Sequence, residues 1–121
     1  MTDLNYFGQH FLLDCGECDY ESITDKEKIL EFCDFLIKEI DMIPVGDPQI
    51  EYCLEGDLNE GYSLLQLIVT SNITAHFVTK SKTAYIDIFS CKEFSTETVK
   101  NVVKSYFDPQ SIRETFLIRN A

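Results

Sequence analysis

Short apolar runs and one alternating stretch mark strands along the chain, and two segments switch to the 3.6-residue period of an amphipathic helix. Residues 9–14 (QHFLLD) predict a short strand, followed by a polar turn through Asp19 and Glu21. Thr24-Asp-Lys-Glu27 predicts a capping box, with the Thr24 hydroxyl accepting from the Glu27 amide. Ile29, Leu30, Cys33, Leu36, Ile37 and Ile40 then recur at helical spacing and predict a helix over 25–42. Pro44, Gly46 and Pro48 end it and predict a loop. Strands are predicted over 49–54 and 62–69, separated by the turn sequence GDLNEG at 56–61. From 72 to 79, Asn72, Thr74, His76 and Val78 fall on one side and Ile73, Ala75 and Phe77 on the other. After a turn at 80–82, residues 83–91 form another strand. Val99, Val102, Val103 and Tyr106 give one apolar face to a helix over 96–107, which Asp108-Pro109 stops, and 112–118 closes the chain as a strand.

The predicted order β-α-β-β-β-β-α-β has no repeat or linker, and 121 residues suffice for a single domain spanning 1–121. An α+β two-layer sandwich satisfies it, a mostly antiparallel sheet with two helices on one face. The opposite face then needs a cover, and two sheets packed back to back in a homodimer supply one.

Composition narrows the partners. No apolar run is long enough to cross a bilayer, and Met1-Thr2-Asp3-Leu4-Asn5 lacks the basic start of a signal peptide, so the expected location is the cytoplasm. A formal net charge of −11 opposes binding to nucleic acid and to anionic membranes and mildly favours cationic small molecules. Five cysteines are an odd number for a disulfide framework. Cys15-Gly-Glu-Cys18 has CxxC spacing near His10, yet no second CxxC or HxxxH completes a zinc site, and no metal is expected. Cys33 and Cys53 sit in apolar patterns that predict burial.

Chemistry concentrates in the second half. Ser63, Thr70-Ser71, His76 and Cys91 follow one another in strand-end and strand positions. Taken singly, the serines read as ordinary strand-end residues, His76 as a hydrogen-bonded sheet residue and Cys91 as a small buried side chain. Ser71 and His76 are five apart, so a straight strand points them to opposite faces, and their cooperation requires a bend at or next to Ser71.

Four segments carry a resemblance. Gly8-Gln-His10-Phe-Leu-Leu-Asp14, Gly61-Tyr-Ser63, Ser71-Asn-Ile-Thr-Ala-His76 and Ala84-Tyr-Ile-Asp87-Ile-Phe89-Ser-Cys91 stand in order at family spacing, and with them the chain resembles the small prokaryotic S-adenosylmethionine decarboxylases. These are pyruvoyl-dependent enzymes made as proenzymes. Departures from the family pattern are Thr70 for the glutamate before the cleavage serine, Asn72 for a histidine, and Lys80 for a glutamate that holds the substrate's ribose hydroxyls. The family's stacking phenylalanine upstream of G-x-S is replaced near Asp57.

The resemblance implies that the chain cuts itself between Thr70 and Ser71 into chains 1–70 and 71–121. Ser71 Oγ attacks the Thr70 carbonyl to give an ester, with Ser63 as the donor to the oxyanion. His76 removes the α-proton of Ser71, for which a group titrating near neutrality is suited. Elimination and hydrolysis leave a pyruvoyl group, a ketone that accepts electrons as carbon dioxide departs from the substrate. Cys91 is the implied proton donor to the product carbon, and Thr70 and Lys80 stand at substrate-contacting positions. The implied role is supply of the aminopropyl donor for spermidine synthesis. Two alternatives stay open: with Lys80 at the ribose-binding position, a pyruvoyl-dependent decarboxylase of arginine or ornithine; and, separately, a non-cleaving, non-enzymatic regulatory homologue.

Overall fold

The computed structural model describes residues 5–121, and the reading of the first residues as a non-signal start lies outside that range apart from Asn5. Six strands form one sheet: β1 (Gly8–Gly16), β2 (Pro44–Cys53), β3 (Gly61–Ile68), β4 (Ser71–Val78), β5 (Thr83–Ser90) and β6 (Ser111–Arg119). Their order across the sheet is β2-β3-β4-β5-β1-β6, and every neighbouring pair is antiparallel. Three helices, α1 (Tyr20–Ile23), α2 (Lys26–Glu39) and α3 (Thr96–Phe107), pack on one another over one face. The α+β sandwich read from the sequence is therefore the fold.

Period-two patterning decides which side chains meet the helices. Phe11 and Leu13 of β1, Leu64 and Ile68 of β3, Ile73 and Phe77 of β4, and Ile86 and Ile88 of β5 point inward and are buried. They meet Ile29, Phe32, Leu36 and Ile37 of α2 and Val99, Val103 and Phe107 of α3 in one core. Phe107 is its hinge pin, with ring centroids 4.8 Å from Phe32 and 5.0 Å from Phe77, which links both long helices to the sheet. Burying each such ring contributes about 2–3 kcal/mol.

Local details differ from the sequence reading. Asp25, not Thr24, caps α2: its carboxylate accepts from the amides of Glu27 and Lys28, while the Thr24 hydroxyl donates back to Tyr20 O at 2.8 Å. Asp25 carries the extended backbone of an N-cap, and Thr24 closes the preceding single-turn α1, where only a polar turn was expected. Pro44, Gly46 and Pro48 do not form a loop but lie in β2, an edge strand with a register shift between Val45 and Gln49. An edge tolerates proline because its missing N–H faces outward, and the bulge absorbs the irregularity. Cys33 is buried as expected; Cys53, near the end of β2, is only half-buried.

Candidate functional site

Two groups of candidate residues stand on β3, β4 and β5, and the sheet register sets both. β3 and β4 are joined through Val69 and Thr70, with Ile68 opposite Ser71 and Ser63 opposite His76. The turn expected next to Ser71 is thus present, but β4 then runs unbroken from Ser71 to Val78. Ser71 and His76 are five positions apart on this strand, roughly 16 Å along the sheet. One chain therefore does not bring them together.

The first group surrounds the Thr70–Ser71 peptide. Ser71 pairs with Ser90 across β4 and β5, and the next residue, Cys91, donates its backbone N–H to the Thr70 carbonyl at 3.1 Å. The Ser90 hydroxyl donates to Thr70 Oγ1 at 2.8 Å and accepts from the Lys92 amide at 2.9 Å. Thr70 Oγ1 in turn lies 3.4 Å from Met42 Sδ. Asn72 Nδ2 donates to Ser71 Oγ at 3.2 Å. The carbonyl before Ser71 is thereby polarised by an amide, and its side chain is anchored from β5. Cys91 and Ser71 are both half-buried.

The second group is a dyad. Ser63 Oγ lies 2.7 Å from His76 Nδ1, and His76 Nε2 lies 2.9 Å from the Asn59 carbonyl. A carbonyl oxygen only accepts, so Nε2 carries the ring proton and Nδ1 of the neutral imidazole accepts from the Ser63 hydroxyl. A nucleophile-type hydroxyl, a base and an orienting acceptor are in line. Residues Ser63 and His76 point to the sheet face that the helices leave open, as do Leu65, Leu67 and Tyr85, which are 41%, 51% and 46% exposed.

Lys80 sits beside this dyad and is paired. Its Nζ is 3.4 Å from Glu60 Oε1, and Glu60 Oε2 accepts from Tyr52 Oη at 2.5 Å. The Tyr52 hydrogen bond holds the Glu60 carboxyl below its ordinary range, against the opposing effect of burial and with help from Lys80. Sequence reading passed over Asn59, Glu60 and Tyr52, and it missed the Cys91 amide. Asn59 and Cys91 act through backbone atoms, which leave no residue-type signal.

Other groups on the open face include His10, Asp14 and Asp87. Burial pushes the Asp87 carboxyl up, a tendency opposed by His10 and reinforced by Asp14. Cys15 and Cys18 are both buried; desolvation pushes their thiols up to about 12 and about 11. Among the described residues, no group of three or more His, Cys, Asp or Glu side chains converges as a metal site. No helix among them is long and apolar enough to cross a membrane.

The family model of S-adenosylmethionine decarboxylase matches residues 9–120. The crystal structure of the adenosylmethionine decarboxylase from Aquifex aeolicus VF5 superposes with a TM-score of 0.82 at 18% identity, covering 98% of this chain and 94% of that one. That likeness is one of fold. No curated protein matches in a sequence search.

Proposed function

The chain belongs to the S-adenosylmethionine decarboxylase family of carboxy-lyases, and on that premise we propose that it is a self-processing enzyme whose Ser71 becomes its pyruvoyl cofactor. The observation that carries this reading is the 3.1 Å hydrogen bond from the Cys91 amide to the Thr70 carbonyl, the group Ser71 must attack. An N–H already aimed at that oxygen stabilises the charge that develops on it. Ser71 Oγ adds to the Thr70 carbonyl carbon, the C–N bond breaks, and an ester with a free Ser71 amine results. Removal of the Ser71 α-proton expels the Thr70 carboxylate from Cβ. Water then replaces nitrogen at Cα, releasing ammonia.

Residues around Ser71 fit the product group. Cys91, Ser90 and Asn72 surround the new terminus, and Cys91 would supply a proton to the product carbon. When present, the ketone supplies an electron sink for loss of carbon dioxide. The substrate is S-adenosylmethionine, and the product serves polyamine synthesis. Lys80 does not present a bare cation to a cationic sulfonium substrate, because Glu60 offsets it.

His76 and Ser63 enter from a second copy. Within one chain they lie roughly 16 Å from Ser71, on a sheet face that exposes Leu65 and Leu67. In the proposed homodimer, with open faces together, the dyad of one protomer would serve the Thr70–Ser71 peptide of its partner, and site completion would be a consequence of assembly.

Intact-mass analysis of the purified protein should show chains 1–70 and 71–121, and Ser71→Ala should stay whole. Co-expression of Ser71→Ala with His76→Ala tests the sharing: the His76→Ala chain should be cut in mixed dimers although each variant alone is intact. A single whole chain after long incubation at neutral pH refutes self-processing, and uncut mixed dimers refute sharing. Carbon dioxide release from labelled S-adenosylmethionine, compared with arginine and ornithine, identifies the substrate.

A further inference from the structure

Glu60 ties three segments together beside the dyad. Its carboxylate takes the Tyr52 hydroxyl from β2 and the Lys80 ammonium from the β4–β5 turn, and its backbone carbonyl accepts from the Thr79 amide at 2.9 Å. Tyr52 Oη also lies 3.5 Å from Thr79 Oγ1, which closes the cluster. The neighbouring residue, Asn59, supplies the carbonyl on His76 and is itself held by Asp57 Oδ1, which accepts from its amide at 2.8 Å. With a donor on each carboxylate oxygen and a side chain only 16% exposed, Glu60 is better suited to hold the loop than to receive a ligand.

We infer that Glu60, with Lys80 and Tyr52, is a positioning residue: it holds the Asn59 carbonyl where it keeps the His76 proton on Nε2 and turns the Nδ1 lone pair to Ser63. The lysine at position 80 is then one half of a clamp. A consequence follows for the hydroxyl. While His76 is neutral, the single Ser63 proton is committed to Nδ1, and Ser63 becomes a donor to another oxygen only when the ring gains a second proton. Charged and titratable groups around the ring are Glu51 and Tyr85 in the same cross-strand row, Asp87 further along β5, and Asp57, Glu60 and Lys80 on the loop side. The kinetic part of this inference rests on the self-processing reading; the tautomer part does not.

The experiment uses the full chain. In a Ser71→Ala background, long-range proton–nitrogen spectra of the two histidines, with His10→Asn for assignment, should show neutral His76 as the Nε2–H tautomer. Glu60→Gln and Lys80→Met should each produce a tautomer mixture. The exchanged pair Glu60→Lys with Lys80→Glu should restore the single form. With Ser71 present, Glu60→Gln should slow cleavage about tenfold or more, as expected for a displaced catalytic group, and the exchanged pair should recover most of that loss. An unchanged Nε2–H tautomer in Glu60→Gln overturns the assignment, whether or not cleavage slows. A parent chain that never cleaves refutes self-processing alone and leaves the tautomer measurement to decide the clamp.

Discussion

Replacing Gly61 by alanine should destabilise the protein far more than its location at a strand end suggests. An ideal Cβ at Gly61 would stand 1.6 Å from the Phe77 carbonyl oxygen and 2.8 Å from its carbon. Non-bonded carbon–oxygen contacts settle near 3.3 Å, so the start of β3 must move from β4 by about 1.5 Å or more. The Thr79 amide to Glu60 carbonyl bond, now 2.9 Å, does not survive that opening, and neither does His76 Nε2 to Asn59 O at 2.9 Å. Two lost hydrogen bonds cost about 0.5–1.5 kcal/mol each, and residual strain adds about 1–3 kcal/mol. The expected loss is therefore about 2–5 kcal/mol. Urea denaturation in the Ser71→Ala background reads it without interference from cleavage, and an unchanged m-value keeps the comparison valid. Gly46→Ala is the control. Its φ of +71° makes alanine unfavourable, but nothing lies within 4 Å, so about 1–2 kcal/mol is expected from conformation alone. A Gly61→Ala loss no greater than that of Gly46→Ala refutes the close-contact argument.

Three further outcomes are expected. Phe107→Ala should cost about 3–5 kcal/mol by denaturation, because its ring packs at 4.8 Å on Phe32 and 5.0 Å on Phe77; a loss under about 1 kcal/mol would contradict its central place. Brief alkylation of the native Ser71→Ala chain at mildly alkaline pH, read by peptide mass, should mark Cys53 and Cys91 while sparing Cys15, Cys18 and Cys33, which burial pushes up to about 12, about 11 and about 12. Asp87→Asn should raise the melting temperature at neutral pH. Burial raises the folded-state pKa of this carboxyl; the native form therefore holds its proton more tightly, and stability is lost as pH rises from the unfolded carboxylate range through the folded value. The variant's advantage should vanish below that range, and a gain that persists in acid would refute the assignment.

How much was legible in the sequence depended on where the information sits. Alternation over 72–79 separated Ile73, Ala75 and Phe77 from Asn72, Thr74 and His76, and folding buries the first set, because one buried face imposes a period of two on residue type. Four-residue α1 was invisible, since one turn is too short to show a helical period. Thr24 and Asp25 are both good cap residues, and only the backbone chooses between them. Prolines at 44 and 48 read as a break because a one-dimensional pattern does not say that the strand lies at an edge. At the site, identity and spacing singled out Ser63, Ser71, His76 and Cys91. Register then placed Ser63 with His76 and Ser71 with Ser90, a division that residue types alone do not encode. Lys80 looked like an unexplained charge reversal until folding put Glu60 next to it.

The strand order has a consequence for a chain broken at Thr70–Ser71. β2, β3 and β1 lie before the break and β4, β5 and β6 after it, yet across the sheet they run β2-β3-β4-β5-β1-β6. The older half threads β1 between two strands of the younger half. Three of the five seams would join different molecules, and pulling them apart means unravelling the middle of the fabric. A severed backbone at this point is mechanically almost silent. That lets a protein sacrifice a peptide bond for chemistry and keep its shape.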